Sequence, residues 1–263
     1  MASRATQSEL LEQRIAENAS AQQIDLTTWI FDRVALRAHD RVLELCCGTG
    51  GQTLKILELL GEAGRVVALD VSQDALHTLT SKVVPANGPK LTPIEGSLDD
   101  FSRPLRNAGL QPPSFGLVFC AYGLYYSADA CRTLEEARSW LNPGGRIVVV
   151  GPFGPNNKPL FDILRASGVA IPEPVIASSE RFMIETLLPW AARNFECISL
   201  HTMVNRVPWS APERVLNYWQ NTTFYDAEKR GVFENLLRRH FEQHGQFVNE
   251  KWVMLAEMTD ARS

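Results

Sequence analysis

The chain has 263 residues, of which 45% are hydrophobic and 21% charged, and its formal net charge is −4 at pH 7. This length and composition are typical of a globular protein with a full core, and no apolar run approaches the ~20 residues that cross a bilayer. The acidic balance argues against nucleic acid as the main partner, because phosphate binding needs clustered Lys and Arg, and the lack of an apolar leader predicts a cytoplasmic protein.

Hydrophobic runs alternate with helical patterns over the first 151 residues. Helices are predicted at 51–60, after an N-cap at Ser72, and at 128–141. Pro93 places the third strand at a sheet edge or at a kink. The alternation predicts a doubly wound α/β domain with a parallel sheet covered on both faces. The five predicted strands are RVLEL, RVVALD, KLTPIEG, FGLVFCAY and RIVVVG, which begin at residues 41, 65, 90, 115 and 146.

The regular alternation of strand and helix patterns ends after Gly151. Helices near 159–166 and 180–191 precede a long strand-like run at 195–207, a helical stretch, and a final strand. We therefore divide the chain into four segments. They are an N-terminal helical cover at 1–40, an α/β core at 41–207, a helical insert or substrate lid at 208–245, and the last strand of the core at 246–263.

The cysteines do not form a recognisable metal or disulfide pattern. The five of them make neither a CxxC pair nor a metal-ligand spacing with the five histidines. Cys46 and Cys47 are adjacent, so they point to opposite sides of an extended chain and are poor joint ligands. We expect reduced, buried cysteines and no metal.

The stretch RVLELCCGTGGQT at 41–53 is the strongest candidate for a site. A strand that runs through Gly48–Gly50 into a helix presents backbone N–H groups to an anion, although a purely structural turn explains it equally well. A dinucleotide fold usually has a third glycine, where Thr53 stands here. Glu44 can instead face an amino group, and Asp70 at the end of the second strand can accept from ribose hydroxyls. Together these features indicate an adenosyl amino acid rather than a pyrophosphate.

Five motifs in order resemble those of class I S-adenosylmethionine-dependent methyltransferases, in the small-molecule group that includes the ubiquinone and menaquinone C-methylases. The resemblance covers residues 41–150 and implies a seven-stranded, Rossmann-like sheet with S-adenosylmethionine as cofactor and S-adenosylhomocysteine as product. Ser97 and Gly116 stand where the family usually has Asp. The motifs are VLELCCGTG for the cofactor, VVALDVS for the ribose, IEGSLDDF for adenine, FGLVFCAYGLYY for the fourth strand and LNPGGRIVVV before the fifth.

The resemblance also implies roles for individual residues. Glu44 and the glycine turn would hold the methionine part, Asp70 the ribose, and Val71 the adenine ring. Asp99 would accept from the adenine amino group, and Cys120 would lie beside the reacting methyl group. The full set of implied cofactor residues is Glu44, Cys46, Gly48, Thr49, Gly50, Asp70, Val71, Ser97, Leu98, Asp99 and Cys120.

The acceptor site is less well marked. Three tyrosines follow strand four, where substrates meet cofactors at the carboxyl ends of strands, but they equally suit a core role. For His201 and the aromatic residues of the insert, the alternative to a role in the site is a role in packing. The candidate catalytic residues are Tyr122, Tyr126 and His201. The candidate substrate residues are Tyr122, Tyr125, Tyr126, Trp209, Tyr218 and Trp219.

The sequence as a whole predicts in-line transfer of a methyl group from S-adenosylmethionine to a small, partly aromatic or apolar molecule. One alternative is a methyltransferase that acts on RNA or protein, which would need a basic surface. Another is a protein that binds the cofactor without methylating anything.

Overall fold

A computed structural model of the chain describes residue 13 and residues 16–260. Seven strands form one sheet in the order β3-β2-β1-β4-β5-β7-β6. Strands β1 to β5 pair in parallel, and the whole sheet is mixed and mostly parallel, so the predicted α/β fold is confirmed. The strands are β1 Arg41–Leu45, β2 Arg65–Asp70, β3 Leu91–Glu95, β4 Phe115–Ala121, β5 Leu141–Pro152, β6 Cys197–Trp209 and β7 Phe247–Thr259.

Helices and several tighter or wider turns precede and connect the strands. As predicted, Ser72 caps a helix: its hydroxyl accepts a hydrogen bond from the Ala75 N–H at 3.3 Å. A π-helix spans Ala177–Leu187, and short 3₁₀ turns span Pro85–Lys90, Leu98–Asp100, Leu124–Tyr126 and Ala227–Lys229. From residue 26 onward, the α-helices of the described chain are α1 Leu26–Phe31, α2 Gly51–Leu59, α3 Gln73–Lys82, α4 Ser102–Asn107, α5 Ala130–Ser139, α6 Lys158–Ala166, α7 Glu173–Ile176, α8 Leu188–Asn194, α9 Pro212–Gln220 and α10 Arg230–His244.

The chain divides into two compact units. The larger comprises Leu26–Gly151, Phe182–His201 and the chain from Met254 onward, and the smaller comprises the residues before Leu26, Pro152–Arg181 and Thr202–Val253. The predicted insert at 208–245 thus folds in the same unit as residues 152–181. Part of the predicted N-terminal cover (residues 1–12, 14 and 15) and the end of the predicted last segment (261–263) lie outside the described residues.

In the larger unit, the apolar strand sequences become the centre of the sheet. Leu43, Ala68 and Phe119 are fully buried in β1, β2 and β4, as expected for parallel strands covered on both faces. Strand β3 lies at an edge of the sheet and is mostly exposed. Its Pro93 is therefore tolerated, because an edge strand does not need every ladder hydrogen bond.

A buried ion-pair cluster explains why glycine occupies position 116. The Arg146 guanidinium lies 3.3 Å from the Asp40 carboxylate and 3.2 Å from that of Glu257. A Cβ on Gly116 would lie 3.2 Å from Asp40 Oδ1. The Asp40 carboxylate thus occupies the space beside position 116, where the resemblance expects an aspartate, and a second carboxylate would be repelled there.

Candidate functional site

The glycine turn joins β1 to α2 through three residues with positive φ. These are Cys46 at 57°, Gly48 at 54° and Gly50 at 91°. The Gly50 N–H donates to the Cys47 carbonyl, and the Cys47 N–H donates to the Leu69 carbonyl, each at 3.1 Å. Among the described residues, a Cβ on Gly48 would meet nothing within 4 Å. The turn is therefore anchored to β2 and leaves room over Gly48, where backbone can approach a ligand closely.

Gly50→Ala should lower the free energy of unfolding by about 1–3 kcal/mol, because it combines backbone strain with overpacking. A Cβ at this position would lie 2.3 Å from Leu79 Cδ1, and Leu79 is fully buried. Urea unfolding would measure the loss. Gly51→Ala is the matched control, since Gly51 is exposed, begins α2, and a Cβ there would meet no described residue within 4 Å. Equal stability of the two variants would contradict the expected strain at Gly50.

Glu44 lies in β1 with only 2% of its surface exposed. Burial raises the pKa of its carboxyl to about 8; the nearby Thr53 hydroxyl lowers this pKa and the charge of Asp70 raises it further. Within the described part of the chain, Glu44 Oε2 and Thr53 Oγ1 have no hydrogen-bond partner in good geometry. A buried carboxyl oxygen without a donor is costly. An ammonium group would supply both the missing hydrogen bond and a compensating charge, so Glu44 fits the amino end of an amino-acid ligand.

Asp70 connects the glycine turn to the start of α3. Its Oδ2 accepts from the Gly48 N–H at 2.8 Å, and its Oδ1 accepts from the Ser72 N–H at 2.9 Å. Each carboxylate oxygen can accept two hydrogen bonds, so capacity remains for a pair of ribose hydroxyls. The next residue, Val71, exposes 57% of an apolar side chain. This is where the resemblance expects the adenine ring to pack.

Asp99 has a structural role that the sequence did not reveal. Its Oδ1 accepts from the Ser127 hydroxyl at 2.7 Å and from the Ala128 N–H at 2.9 Å. The Ser127 hydroxyl also lies 2.9 Å from Thr133 Oγ1, and Ser97 Oγ accepts from the Asp99 N–H at 3.2 Å. Asp99 therefore ties the loop after β3 to the segment after β4. Its second oxygen is still compatible with the predicted contact to the adenine amino group.

Two thiols meet next to Gly123 at the end of β4. A Cβ on Gly123 would lie 2.6 Å from Cys46 Sγ and 3.2 Å from Cys120 Sγ. A hydrogen bond with Cys120, together with burial, raises the pKa of the Cys46 thiol, and burial raises that of Cys47. All five cysteines are free, as expected, but Cys197 is exposed, so the expectation of buried cysteines is wrong at that position. Thiols with raised pKa values stay neutral and are poor nucleophiles, so Cys46 and Cys47 serve as small apolar groups.

The tyrosines after β4 form an aromatic group in the larger unit. Tyr122 adopts a positive φ of 56°, and its N–H donates to the Val150 carbonyl at 2.8 Å. The rings of Tyr125 and Tyr126 lie 4.8 Å apart, and the Phe182 ring meets Tyr125 edge-on at 6.0 Å. Sequence reasoning missed Phe182, because only the fold brings it beside β4. The group stands at the carboxyl end of β4, the edge at which parallel α/β sheets bind ligands.

The other candidate substrate residues lie in the smaller unit. Trp209 and Trp219 are fully buried and Tyr218 is 8% exposed, within one hydrophobic cluster. The Trp209 ring lies 5.2 Å from Tyr218 and 6.2 Å from Phe247. This burial favours the packing interpretation of both tryptophans. His201 is half-buried on β6, where its Nε2 lies 3.4 Å from Ser199 Oγ.

The described residues contain neither a metal-binding cluster nor a membrane-spanning helix. Within residues 13 and 16–260, no group of three or more His, Cys, Asp or Glu side chains is arranged to hold a metal ion. Over the same residues, every helix is too short or too polar to span a bilayer.

Comparison with known proteins identifies a domain type. Residues 42–145 match a family model described as a methyltransferase domain. The demethylmenaquinone methyltransferase of Lactococcus lactis subsp. lactis is 31% identical over 41% of this chain and 40% of its own length. The ubiquinone/menaquinone biosynthesis C-methyltransferase UbiE of Hahella chejuensis is 27% identical over 59% of this chain and 63% of its own length. The chain thus spans about half the length of the curated relatives it matches.

A solved structure supports the same fold. A Bacillus halodurans C-125 protein assigned as a methyltransferase superposes with a TM-score of 0.62, covering 89% of this chain and 98% of that one at 14% identity. At this identity the likeness shows the fold alone. Together with the domain match, it confirms the predicted resemblance to class I S-adenosylmethionine-dependent methyltransferases.

Proposed function

We propose that this chain, which carries a methyltransferase domain in residues 42–145, transfers a methyl group from S-adenosylmethionine to a small-molecule acceptor. The observation that carries the proposal is the buried Glu44 oxygen without a donor, in the strand that leads into the Gly48–Gly50 turn. Together with Asp70 at the end of β2, it offers groups suited to an ammonium, a carboxylate and a ribose. A pyrophosphate would leave the buried Glu44 carboxyl without a partner.

Each residue of the site would make one contribution to binding. Glu44 would give up its proton and accept hydrogen bonds from the amino group, while Asp70 would accept from the ribose and hold Gly48 in place. Val71 and Leu98 would contact the adenine ring, and Asp99 its amino group. The side chains of Cys46 and of the buried Cys120 would give the reacting centre an apolar surrounding. The remaining members of the predicted set, Thr49 and Ser97, would contribute backbone or hydroxyl contacts.

The bound cofactor supplies an electrophilic sulfonium methyl group, so the protein mainly has to position the acceptor. A nucleophile held about 3 Å from that carbon and opposite the sulfur gains several kcal/mol from orientation alone. Tyr122, Tyr125 and Tyr126 are proposed to shape the acceptor site, with Phe182 added from the structure. The hydroxyls of Tyr122 and Tyr126 are the candidates to take the acceptor's proton. The catalytic role of His201 and the lid role of residues 208–245 stay predictions.

The acceptor is proposed to be small and partly aromatic or apolar. The aromatic group after β4 supports a ring-containing molecule, and the curated relatives are named for demethylmenaquinone and for C-methylation in quinone biosynthesis. The net charge of −4 argues against RNA. A cytoplasmic location also stays a prediction.

Asp70→Ala should weaken S-adenosylhomocysteine binding by about 1.5–3 kcal/mol, the usual loss for a charged hydrogen-bond acceptor. Titration calorimetry measures this directly. Asp74→Ala removes the same charge from the exposed first turn of α3 and should change the affinity by less than about twofold. Micromolar binding of NAD without binding of S-adenosylhomocysteine would overturn the cofactor assignment.

Turnover separates an enzyme from a protein that only binds the cofactor. Methyl-labelled S-adenosylmethionine would be incubated with the protein and a set of small quinols and phenols, and in parallel with total RNA and with denatured protein. Label on a small molecule is the expected result. Label only on RNA or protein would favour that alternative. Cofactor binding without any label on the acceptors would favour a protein that binds the cofactor without methylating anything.

A further inference from the structure

The smaller unit contains a lysine, Lys251, whose charge is paired with no carboxylate of a described residue. The Lys251 ammonium on β7 donates to Asn157 Oδ1 at 2.5 Å and to the Tyr218 hydroxyl at 2.6 Å, and it lies 4.3 Å from the centre of the Tyr218 ring. No carboxylate of a described residue forms an ion pair with it. The neighbouring Glu250 interacts instead with Arg206 at 3.9 Å and with the indole N–H of Trp252 at 3.3 Å. Within the described part of the chain, this half-buried cation is therefore held by neutral oxygens and an aromatic face.

The hydrogen bonds of Lys251 also fix the orientation of two asparagines. Because an ammonium can only donate, the Asn157 atom beside it must be Oδ1. That oxygen also accepts from Asn249 Nδ2 at 2.9 Å, so the other terminal atom of Asn249 must be its oxygen. Asn249 is fully buried, and its Oδ1 has no donor among the described residues. The cluster thus combines a cation that keeps a third N–H with a buried acceptor that lacks a partner.

The adjacent helix end adds positive potential. Asn157 immediately precedes α6, a helix of nine residues, but its side chain does not cap that helix and turns to Asn249 and Lys251 instead. A helix N-terminus carries about half a positive charge, so it disfavours a nearby cation. Lys158, the first residue of α6, pairs with Asp162 at 2.5 Å and is thereby compensated. No carboxylate among residues 13 and 16–260 compensates Lys251 in this way, and an anion would relieve the repulsion.

We propose that Lys251, Asn249 and the N-terminus of α6 form a binding site for the oxyanion of a small ligand, a carboxylate or a phosphate. Lys251 supplies the charge, the helix end adds favourable potential, and Asn249 Oδ1 accepts a hydrogen bond from a hydroxyl or acid proton of the ligand. All residues of this site belong to the smaller unit, whereas the proposed cofactor residues belong to the larger one. A test of the oxyanion site is therefore independent of whether the chain transfers methyl groups.

The test follows the side-chain amide signals of Asn157 and Asn249 by NMR in the full ¹⁵N-labelled chain. Inorganic phosphate, which keeps an acid proton near pH 7, and sodium glycolate, which carries a hydroxyl beside its carboxylate, are titrated separately, with sodium chloride holding the ionic strength constant. At least one of them should shift these signals saturably, with a Kd of about 1 mM for a small charged contact. The arm that saturates at the lower concentration identifies phosphate or carboxylate as the preferred group. If neither anion gives a saturable shift, the proposal is wrong.

Substitutions separate binding from packing. Lys251→Gln keeps a donor for Asn157 but removes the charge, so Kd should rise by about tenfold or more. Lys158→Gln removes a charge from the same helix end and should leave Kd within about twofold, because that lysine is already paired. Lys251→Arg retains the charge and should still bind. A Lys251→Gln protein that binds like the wild type, or a Lys251→Arg protein that is folded but does not bind, would show that Lys251 only packs against Tyr218.

Discussion

Replacing Trp209 with alanine should lower the free energy of unfolding by about 3–5 kcal/mol, the usual cost of truncating a buried tryptophan. The Trp209 ring is fully buried, packs against the rings of Tyr218 and Phe247, and belongs to a cluster with Trp219 and Phe233. Its loss would leave a cavity that well-packed neighbours fill only in part. Urea unfolding measures the change as a lower midpoint at an unchanged slope.

Tyr126→Ala is the matched aromatic truncation at an exposed position. Tyr126 exposes 60% of its surface, so its removal should change stability by no more than about 0.5 kcal/mol. If it shapes the acceptor site, the KM for the acceptor should rise instead. The packing interpretation of Trp209 fails if Trp209→Ala keeps wild-type stability while the acceptor KM rises.

Much of the fold could be predicted because its signals are local. The strand RVLEL and the turn that follows it can be recognised from hydrophobicity and glycine spacing alone, and both lie where they were expected. Pro93 indicated a sheet edge or a kink, and β3 lies at an edge, where the missing N–H is tolerated. The N-cap at Ser72 could likewise be predicted from neighbouring residues alone.

The role of the predicted insert at 208–245 could not be decided from local sequence patterns. An aromatic residue looks the same in sequence whether it fills a core or lines a ligand site, so neither Trp209 at the end of β6 nor Trp219 in α9 could be assigned to one of these roles. Their burial in the smaller unit depends on residues 152–181, far away in the chain. Phe182 and the tie from Asp99 to Ser127 likewise depend on contacts between distant segments.

The sequence could indicate which residues bind the cofactor, but it could not indicate which of them are protonated. Glu44 could be placed on β1 from the motif, yet its raised pKa depends on burial by neighbouring strands and on the charge of Asp70. The thiol of Cys46 is similar, because its raised pKa comes from a hydrogen bond with Cys120 on β4 and from burial. The electrostatics of the site follow from the fold.

Glu44→Gln should remove a large pH dependence of stability. The pKa of this carboxyl is near 4.5 in the unfolded chain and rises to about 8 in the fold. Between these values the folded protein holds a proton that the unfolded chain has released. The stability that this proton provides is fully present below pH 4.5 and is lost as the pH rises through about 8, at up to about 1.4 kcal/mol per pH unit.

Unfolding free energies of the wild type and Glu44→Gln, measured from pH 5 to pH 9, would reveal the difference. The wild type should lose several kcal/mol relative to the neutral glutamine variant, which lacks this slope. Glu95→Gln makes the same change at an exposed position in β3 and should keep the wild-type slope. Parallel curves for the wild type and Glu44→Gln would mean that Glu44 is already ionised in the folded protein.

The same proton should leave when the cofactor binds. At pH 7 a carboxyl with a pKa of about 8 is mostly protonated, and an incoming ammonium favours the charged carboxylate. S-adenosylhomocysteine binding should therefore release most of one proton, which calorimetry detects by comparing buffers with different ionisation enthalpies. Glu44→Gln should bind more weakly and release no proton from this position. If the wild type binds tightly at pH 7 without proton release, the amino group of the ligand is held by a residue other than Glu44.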